Sequence, residues 1–379
     1  MDRDALRISN LTGAAAAIAS GVGRRDFLKI CSLAAAAVGL PVSAAEKMAA
    51  RAALPKKPSV IWLQFQECTG CTESLLRTSH PGAGELILDL ISLDYHETLM
   101  AAAGHQAEKS LTEAIKENDG KFVLVVEGAI PVKDNGNFCR IGDRTALDML
   151  KDVASHAGAI IAIGSCASWG GIPSADPNPT GASSAGDILK GKTVVTIPGC
   201  PANPYNLLGV VLQYATFGTL PELDAKARPK FAYSRVIHDD CPRRAHFDAG
   251  RFAQRYGDEG SRQGWCLYKM GCKGPRTHAN CSLLHFGEVV GAWPIGIGAQ
   301  CFGCTEKELA FRVPMFQTVE PEQLGPPGMY PSVNAKHGDV SPVATGIAGV
   351  AIGAAIGAGI VMSRKLGQQP PEKDGGEEK

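Results

Sequence analysis

The sequence predicts an α/β fold, a doubly wound parallel sheet followed by a loop-rich region, and three observations predict it. Five short apolar runs recur at residues 59–65, 90–95, 122–127, 159–164 and 193–198. They are continuous rather than alternating, as strands covered on both faces of a parallel sheet are. Helix-like stretches separate them, such as 99–117 and 145–156, so strand and helix take turns along the chain. Beyond residues 221–229 the apolar runs stop, and Gly, Cys, His and Arg dominate as far as about residue 325.

Five strand–helix units over residues 56–225 point to a flavodoxin-like sheet, whose ligands bind where the strands end. Residues 226–325 offer no regular core of their own, so that region needs metal or disulfide staples. The two ends carry addresses rather than fold. Arg24-Arg25-Asp26-Phe27-Leu28-Lys29 precedes an alanine-rich apolar run, Pro41 and then small residues, the order of a signal peptide of the twin-arginine type over residues 1–45. Residues 343–362 are uncharged and rich in Ala, Gly and Ile, just long enough for one C-terminal transmembrane helix. Gly349, Gly353 and Gly357 give that segment a small-residue face for packing. Arg364 and Lys365 put the polar tail, 363–379, in the cytoplasm and the body on the outer side of the inner membrane. Lys plus Arg equals Asp plus Glu at 38 each, so the chain has no basic surplus and is not expected to bind nucleic acid.

The 12 cysteines sort by position. Cys68 and Cys71 follow the first strand, Cys166 the fourth and Cys200 the fifth, so four thiols should meet at one sheet edge. Four thiolates suit a cubane iron–sulfur cluster or a tetrahedral zinc. His238-x-x-Cys241 with Cys266 and Cys272 makes a second four-ligand set, and Cys281 with Cys301-x-x-Cys304 a third set of only three. Three thiols fit a three-iron cluster, or a four-iron cluster with one other ligand. Disulfides are the default of exported chains, but removing Cys31 with the signal leaves eleven cysteines, which cannot all pair. Zinc staples are the stronger rival. Three neighbouring sites, one a ligand short, look more like a relay. Cys139 is expected to be a buried thiol outside these sets.

With these motifs the chain closely resembles the small subunit of membrane-bound, uptake-type [NiFe]-hydrogenases. The resemblance rests on the arginine-pair segment, Glu67-Cys68-Thr69-Gly70-Cys71-Thr72-Glu73, Gly164-Ser165-Cys166, and Ile197-Pro198-Gly199-Cys200-Pro201. Trp265-Cys266, Gly271-Cys272-Lys273-Gly274-Pro275 and Cys301-Phe302-Gly303-Cys304 extend it, so it spans nearly the whole chain.

The resemblance implies two [4Fe–4S] clusters and one [3Fe–4S] cluster. Cys68, Cys71, Cys166 and Cys200 would hold the proximal one, and His238, Cys241, Cys266 and Cys272 the distal one. Cys281, Cys301 and Cys304 would hold the medial three-iron cluster, with Pro294 where a fourth cysteine would complete a cubane. The oxygen-tolerant branch of the family adds two cysteines at places that here are Gly70 and Gly171, so the standard oxygen-sensitive type is expected. The chain is expected to relay electrons from hydrogen oxidation at a nickel–iron site, which lies in a large partner subunit. The acceptor side implies a quinone-reducing membrane subunit, of cytochrome b or cytochrome-free type, with or without a further iron–sulfur subunit, in a dimer of heterodimers. The quinone-proximal subunit of respiratory complex I is the rival likeness, but it accounts for the first cysteine set alone.

Overall fold

The computed structural model describes residues 57–79 and 81–322, with isolated positions 47, 325, 327 and 330. The signal segment, the 343–362 segment and the polar tail lie outside the described residues. Strands β1 (Ser59–Gln64), β2 (Ser92–His96), β3 (Val123–Glu127), β4 (Ala159–Ile163) and β5 (Val194–Ile197) form one sheet in the order β2-β1-β3-β4-β5. Every neighbouring pair is parallel. The order reverses between β1 and β3, and the carboxyl ends of those strands flank the crevice where ligands of such sheets bind.

Continuous apolar strands need cover on both sides, and two apolar layers provide it. Ile61, Leu63, Leu124, Val126 and Ile160 face one layer, closed by α2 (His105–Glu117) and α3 (Ala146–His156). The Thr145 hydroxyl caps α3 by accepting the Asp148 N–H at 3.1 Å. Val60, Trp62, Val123, Val125, Ile161 and Val195 face the other layer, against α1 (Gly70–Leu76) and α5 (Pro204–Phe217). That layer also contains Ala232, Ile237, Met270, Trp293 and Ile295. Residues beyond 226 are therefore part of the sheet's own core.

The long apolar strands do end where the composition shifts. Among the described residues after Phe217, helices are five residues or shorter, as at Arg244–Asp248, and the rest is turns and loops. Buried ion pairs tie this region down instead. Arg228 donates to Glu306 at 2.8 Å and to Asp224 at 2.7 Å. Arg244, fully buried, is held between Asp239 and Asp248.

Two boundaries differ from the sequence expectation. The stretch expected as a helix from residue 99 starts at His105, because Gly104 adopts a positive φ of 55° and breaks the alanine-rich run. The apolar run expected as a strand from residue 90 starts at Ser92, since Leu86–Leu90 is a widened helical turn. Among the described residues no helix is long and apolar enough to cross a membrane.

Candidate metal centres

The first site lies at the sheet's carboxyl edge. Thr69 turns the chain with φ 60° after β1, and α1 begins at Gly70 with Cys71 inside its first turn. Glu127, the last residue of β3 and only 2% exposed, anchors that turn. It accepts the N–H groups of Cys71 at 3.0 Å and Thr72 at 3.2 Å, the Thr72 hydroxyl at 2.6 Å and the Trp62 indole N–H at 3.0 Å. Cys166 sits in α4 (Gly164–Trp169), directly after β4, and Cys200 in the turn after β5. The Ser165 N–H donates to Gly199 O at 2.8 Å, and the Gly199 N–H to Ser165 Oγ at 3.2 Å, clamping these two loops together.

Glycines leave room for the sulfurs. A Cβ on Gly164 would stand 2.5 Å from Cys71 Sγ, and one on Gly171 would stand 2.6 Å from Cys166 Sγ. Both glycines have positive φ, at 78° and 52°, so backbone conformation and space select glycine together. Burial pushes the Cys166 thiol up to about 12, and charge on Cys200 and Cys68 pushes the same way. Cys71 is raised further by burial, with Glu127, Cys166 and Cys200 adding to it. The four thiols thus lie within each other's electrostatic reach.

Cys241, Cys266 and Cys272 come together as a second, fully interior group. Burial pushes Cys241 to about 12, opposed by the Arg243 N–H, which reaches its sulfur at 3.4 Å, and reinforced by Cys272 and Cys266. His238 opens the turn into Cys241 and packs edge-on against Phe247, with ring centroids 4.5 Å apart. Burial and then the Arg244 charge lower the imidazole to about 4, so it is neutral at neutral pH. Its Nε2 is buried and has no hydrogen-bond partner. A buried polar atom left in that state is costly, and a neutral imidazole nitrogen is a good metal ligand. This orphan atom is where the residues fit a metal group most directly.

Cys281, Cys301 and Cys304 line one cavity of about 830 Å³ with Cys200 and Pro294. Burial raises all three thiols, Cys281 to about 12. Neighbouring sets touch through the backbone. The Ser165 hydroxyl, beside Cys166, donates to Cys304 O at 2.7 Å, and the Lys273 N–H, beside Cys272, donates to Cys301 O at 2.6 Å. A single tetrahedral zinc needs its donors about 2.3 Å from one point. Among the described residues no three His, Cys, Asp or Glu side chains converge as one ion requires. Bare thiols raised this far stay protonated, so a metal group must displace their protons as it binds.

Cys139 is half-buried against the helical layer, away from all three groups. Sequence reasoning passed over Glu127, whose one signal is a lone carboxylate closing an apolar strand. It also passed over Glu67, whose carboxyl burial and Glu127 push up to about 7, and whose Oε2 has no partner.

Residues 68–214 match the family model of the NADH ubiquinone oxidoreductase 20 Kd subunit, and residues 233–317 that of the C-terminal part of the NiFe/NiFeSe hydrogenase small subunit. The chain is 50% identical over 350 residues to the hydrogenase-2 small chain of Escherichia coli K12, covering 92% of this chain and 94% of that one. It belongs to the [NiFe]-hydrogenase small-subunit family. The quinone-reactive Ni/Fe-hydrogenase small chain of Wolinella succinogenes is 47% identical over 290 residues, covering 76% of this chain and 81% of that one. A reduced, active Ni-Fe-Se hydrogenase of Desulfomicrobium baculatum superposes with a TM-score of 0.65 at 34% identity, over 70% of this chain and 100% of that chain. The first family model explains the complex I likeness of the sheet, and the second assigns the remainder to hydrogenases. This small subunit is thus the electron-transfer partner of the large nickel–iron subunit, and its family binds iron–sulfur clusters.

Proposed function

We propose that the three cysteine groups are cluster ligand sets. Cys68, Cys71, Cys166 and Cys200 would hold a proximal [4Fe–4S] cluster, and His238, Cys241, Cys266 and Cys272 a distal one. Cys281, Cys301 and Cys304 would hold a medial [3Fe–4S] cluster, with Pro294 in the same cavity. Such clusters, when bound, supply one-electron redox chemistry.

The observation that carries this reading is the serial contact of the three groups. Ser165, next to Cys166 of the first, donates to Cys304 O of the third, and Lys273, next to Cys272 of the second, donates to Cys301 O of the third. Both links end on a cysteine of the third set, which supports reading that set as the one between the other two. The protein's part is to bury the sulfurs, exclude water and aim amide N–H groups at them. The Ala202 N–H on Cys71 Sγ at 3.5 Å and the Arg243 N–H on Cys241 Sγ at 3.4 Å do this directly. Hydrogen bonds and burial of this kind set cluster potential.

The same reading divides the chain into a twin-arginine signal over residues 1–45, a flavodoxin-like domain over 56–225, a cluster domain over 226–325, a single membrane anchor over 343–362 and a cytoplasmic tail over 363–379. The body then works on the periplasmic side of the inner membrane, with a quinone-linked subunit as its outlet, and the complex is a dimer of heterodimers. A quinone-reactive relative supports that acceptor. Gly70 and Gly171, which lack thiols, support the oxygen-sensitive type.

Electron paramagnetic resonance and iron analysis of the purified complex test the ligand sets. About eleven irons per small subunit, with a three-iron signal in the oxidised state, are expected from two four-iron sites and one three-iron site. Zinc in place of iron would sink the assignment. Gly353→Leu tests the anchor: hydrogen–dye activity should stay while membrane assembly weakens, and unchanged assembly would reject the packing face.

A further inference from the structure

Lys273 follows Cys272 in the chain, and its side chain is wholly buried, at 0% exposure. Four backbone carbonyls surround its Nζ and share its three N–H donors: Gly271 at 2.8 Å, Pro314 at 2.9 Å, Met315 at 3.0 Å and Gln317 at 2.7 Å. All four neighbours are acceptors. An ammonium offers three N–H donors and no lone pair, whereas a neutral amine would aim its lone pair at a carbonyl. Burial pulls the Lys273 ammonium down, but the acceptor shell fits only the charged form. Among the described residues no carboxylate forms an ion pair with it.

A buried cation without a counter-ion is costly, and cysteines of two sites adjoin Lys273. Cys272 adjoins it in sequence, and the Lys273 N–H donates to Cys301 O at 2.6 Å. A Cβ on Gly303, between Cys301 and Cys304, would stand 3.2 Å from Lys273 Cβ, so the side chain packs beside the third site as well.

We propose that Lys273 is a fixed counter-charge shared by the second and third cysteine sites, raising the reduction potentials of the groups that both hold. A cation beside a centre favours its more negative, reduced state, and net charge is one of the terms that set cluster potential. The proposal rests on the reading of Cys272 and Cys301 as ligands of neighbouring clusters.

The test is a redox titration of each paramagnetic signal in the full hydrogenase complex carrying Lys273→Met. The signals of the second and third sites should titrate at lower potential with unchanged line shape. The first site, with Cys68, Cys71, Cys166 and Cys200, should titrate as in wild type. Lys273→Arg, which keeps the charge, should leave both midpoints near wild type. Should Lys273→Met fail to assemble, Lys273→Gln decides in the same way, since its amide keeps donors toward the carbonyls. Unmoved midpoints in an assembled neutral variant, or equal shifts at all three sites, overturn the counter-charge. Wild-type complex without separate second- and third-site signals would overturn the underlying ligand assignment, a different result.

Discussion

Glu306→Gln removes one charge from the buried network that ties the linker at Lys226 and Arg228 to the loop behind Cys304. Glu306 is only about 5% exposed and accepts from Arg228 at 2.8 Å, Lys226 at 2.6 Å and the His278 N–H at 2.9 Å. Burial alone would raise its carboxyl, but hydrogen bonds from His278, Lys226 and Arg228 overcome that and hold it at about 2, against an ordinary 4.5. A depression of that size corresponds to about 3 kcal/mol of stability. Breaking one side of a buried ion pair independently costs about 3–5 kcal/mol. Because the folded value is depressed, the contribution is complete above pH 4.5 and is lost as pH falls towards 2. The assay is guanidinium unfolding of the complex at pH 7, 5 and 3.5, wild type beside variant. At pH 7 the variant's midpoint should fall by about 0.5–1.5 M. The deficit should be nearly the same at pH 5 and smaller by about 1.4 kcal/mol at pH 3.5. A deficit below about 1 kcal/mol, the range of exposed pairs, or one independent of pH, would refute the reasoning.

Two substitutions test the cysteine sites themselves. Gly171→Ala puts a Cβ 2.6 Å from Cys166 Sγ on a backbone with φ 52°. Iron analysis should therefore show loss confined to the first site, and full iron content would show that the loop can yield. Pro294→Cys places a thiol in the cavity that Cys281, Cys301 and Cys304 line. The three-iron signal should be replaced by that of a four-iron site of lower potential, and an unchanged signal would show that the new sulfur cannot reach.

The sheet was legible because a parallel strand covered on both faces is apolar along nearly its whole length, and β1, β3, β4 and β5 are buried throughout. The ends of elements were less so. Residues 100–103 have helix-forming composition, yet Gly104 stops them from joining α2. The cysteines could be grouped because three of the loops that carry them follow strands directly, a placement that topology alone fixes. Polar groups paired across the fold left no such trace. Arg228 and Glu306 lie 78 residues apart, and neither has a local pattern to mark it. Glu127 reads as a strand-end residue until its four donors are seen to come from Trp62, Cys71 and Thr72. Lys273 looks like a surface lysine in the sequence, because only the distant carbonyls of Pro314, Met315 and Gln317 make burial tolerable.

The cysteine sites bear on the stability of one face of the sheet more than the other. Residues after 226 form only short helices and turns among the described residues, yet they cover the sheet face built from Val60, Trp62, Val123, Val125 and Val195. The opposite face is closed by α2 and α3, whose apolar side chains owe nothing to the cysteine sites. If the metal groups staple the later region, iron-depleted chain should loosen on one side only. Hydrogen exchange compared between iron-loaded and iron-depleted complex should show protection lost first across residues 226–322, then in α1 and α5. The amides of α3 and of the β3–β4 pairing should keep theirs longest, because local opening follows the contacts that remain. Simultaneous loss across both faces would mean that the two layers unfold as one unit. Protection unchanged throughout would mean that the ion pairs of Arg228 and Arg244 hold the later region without metal.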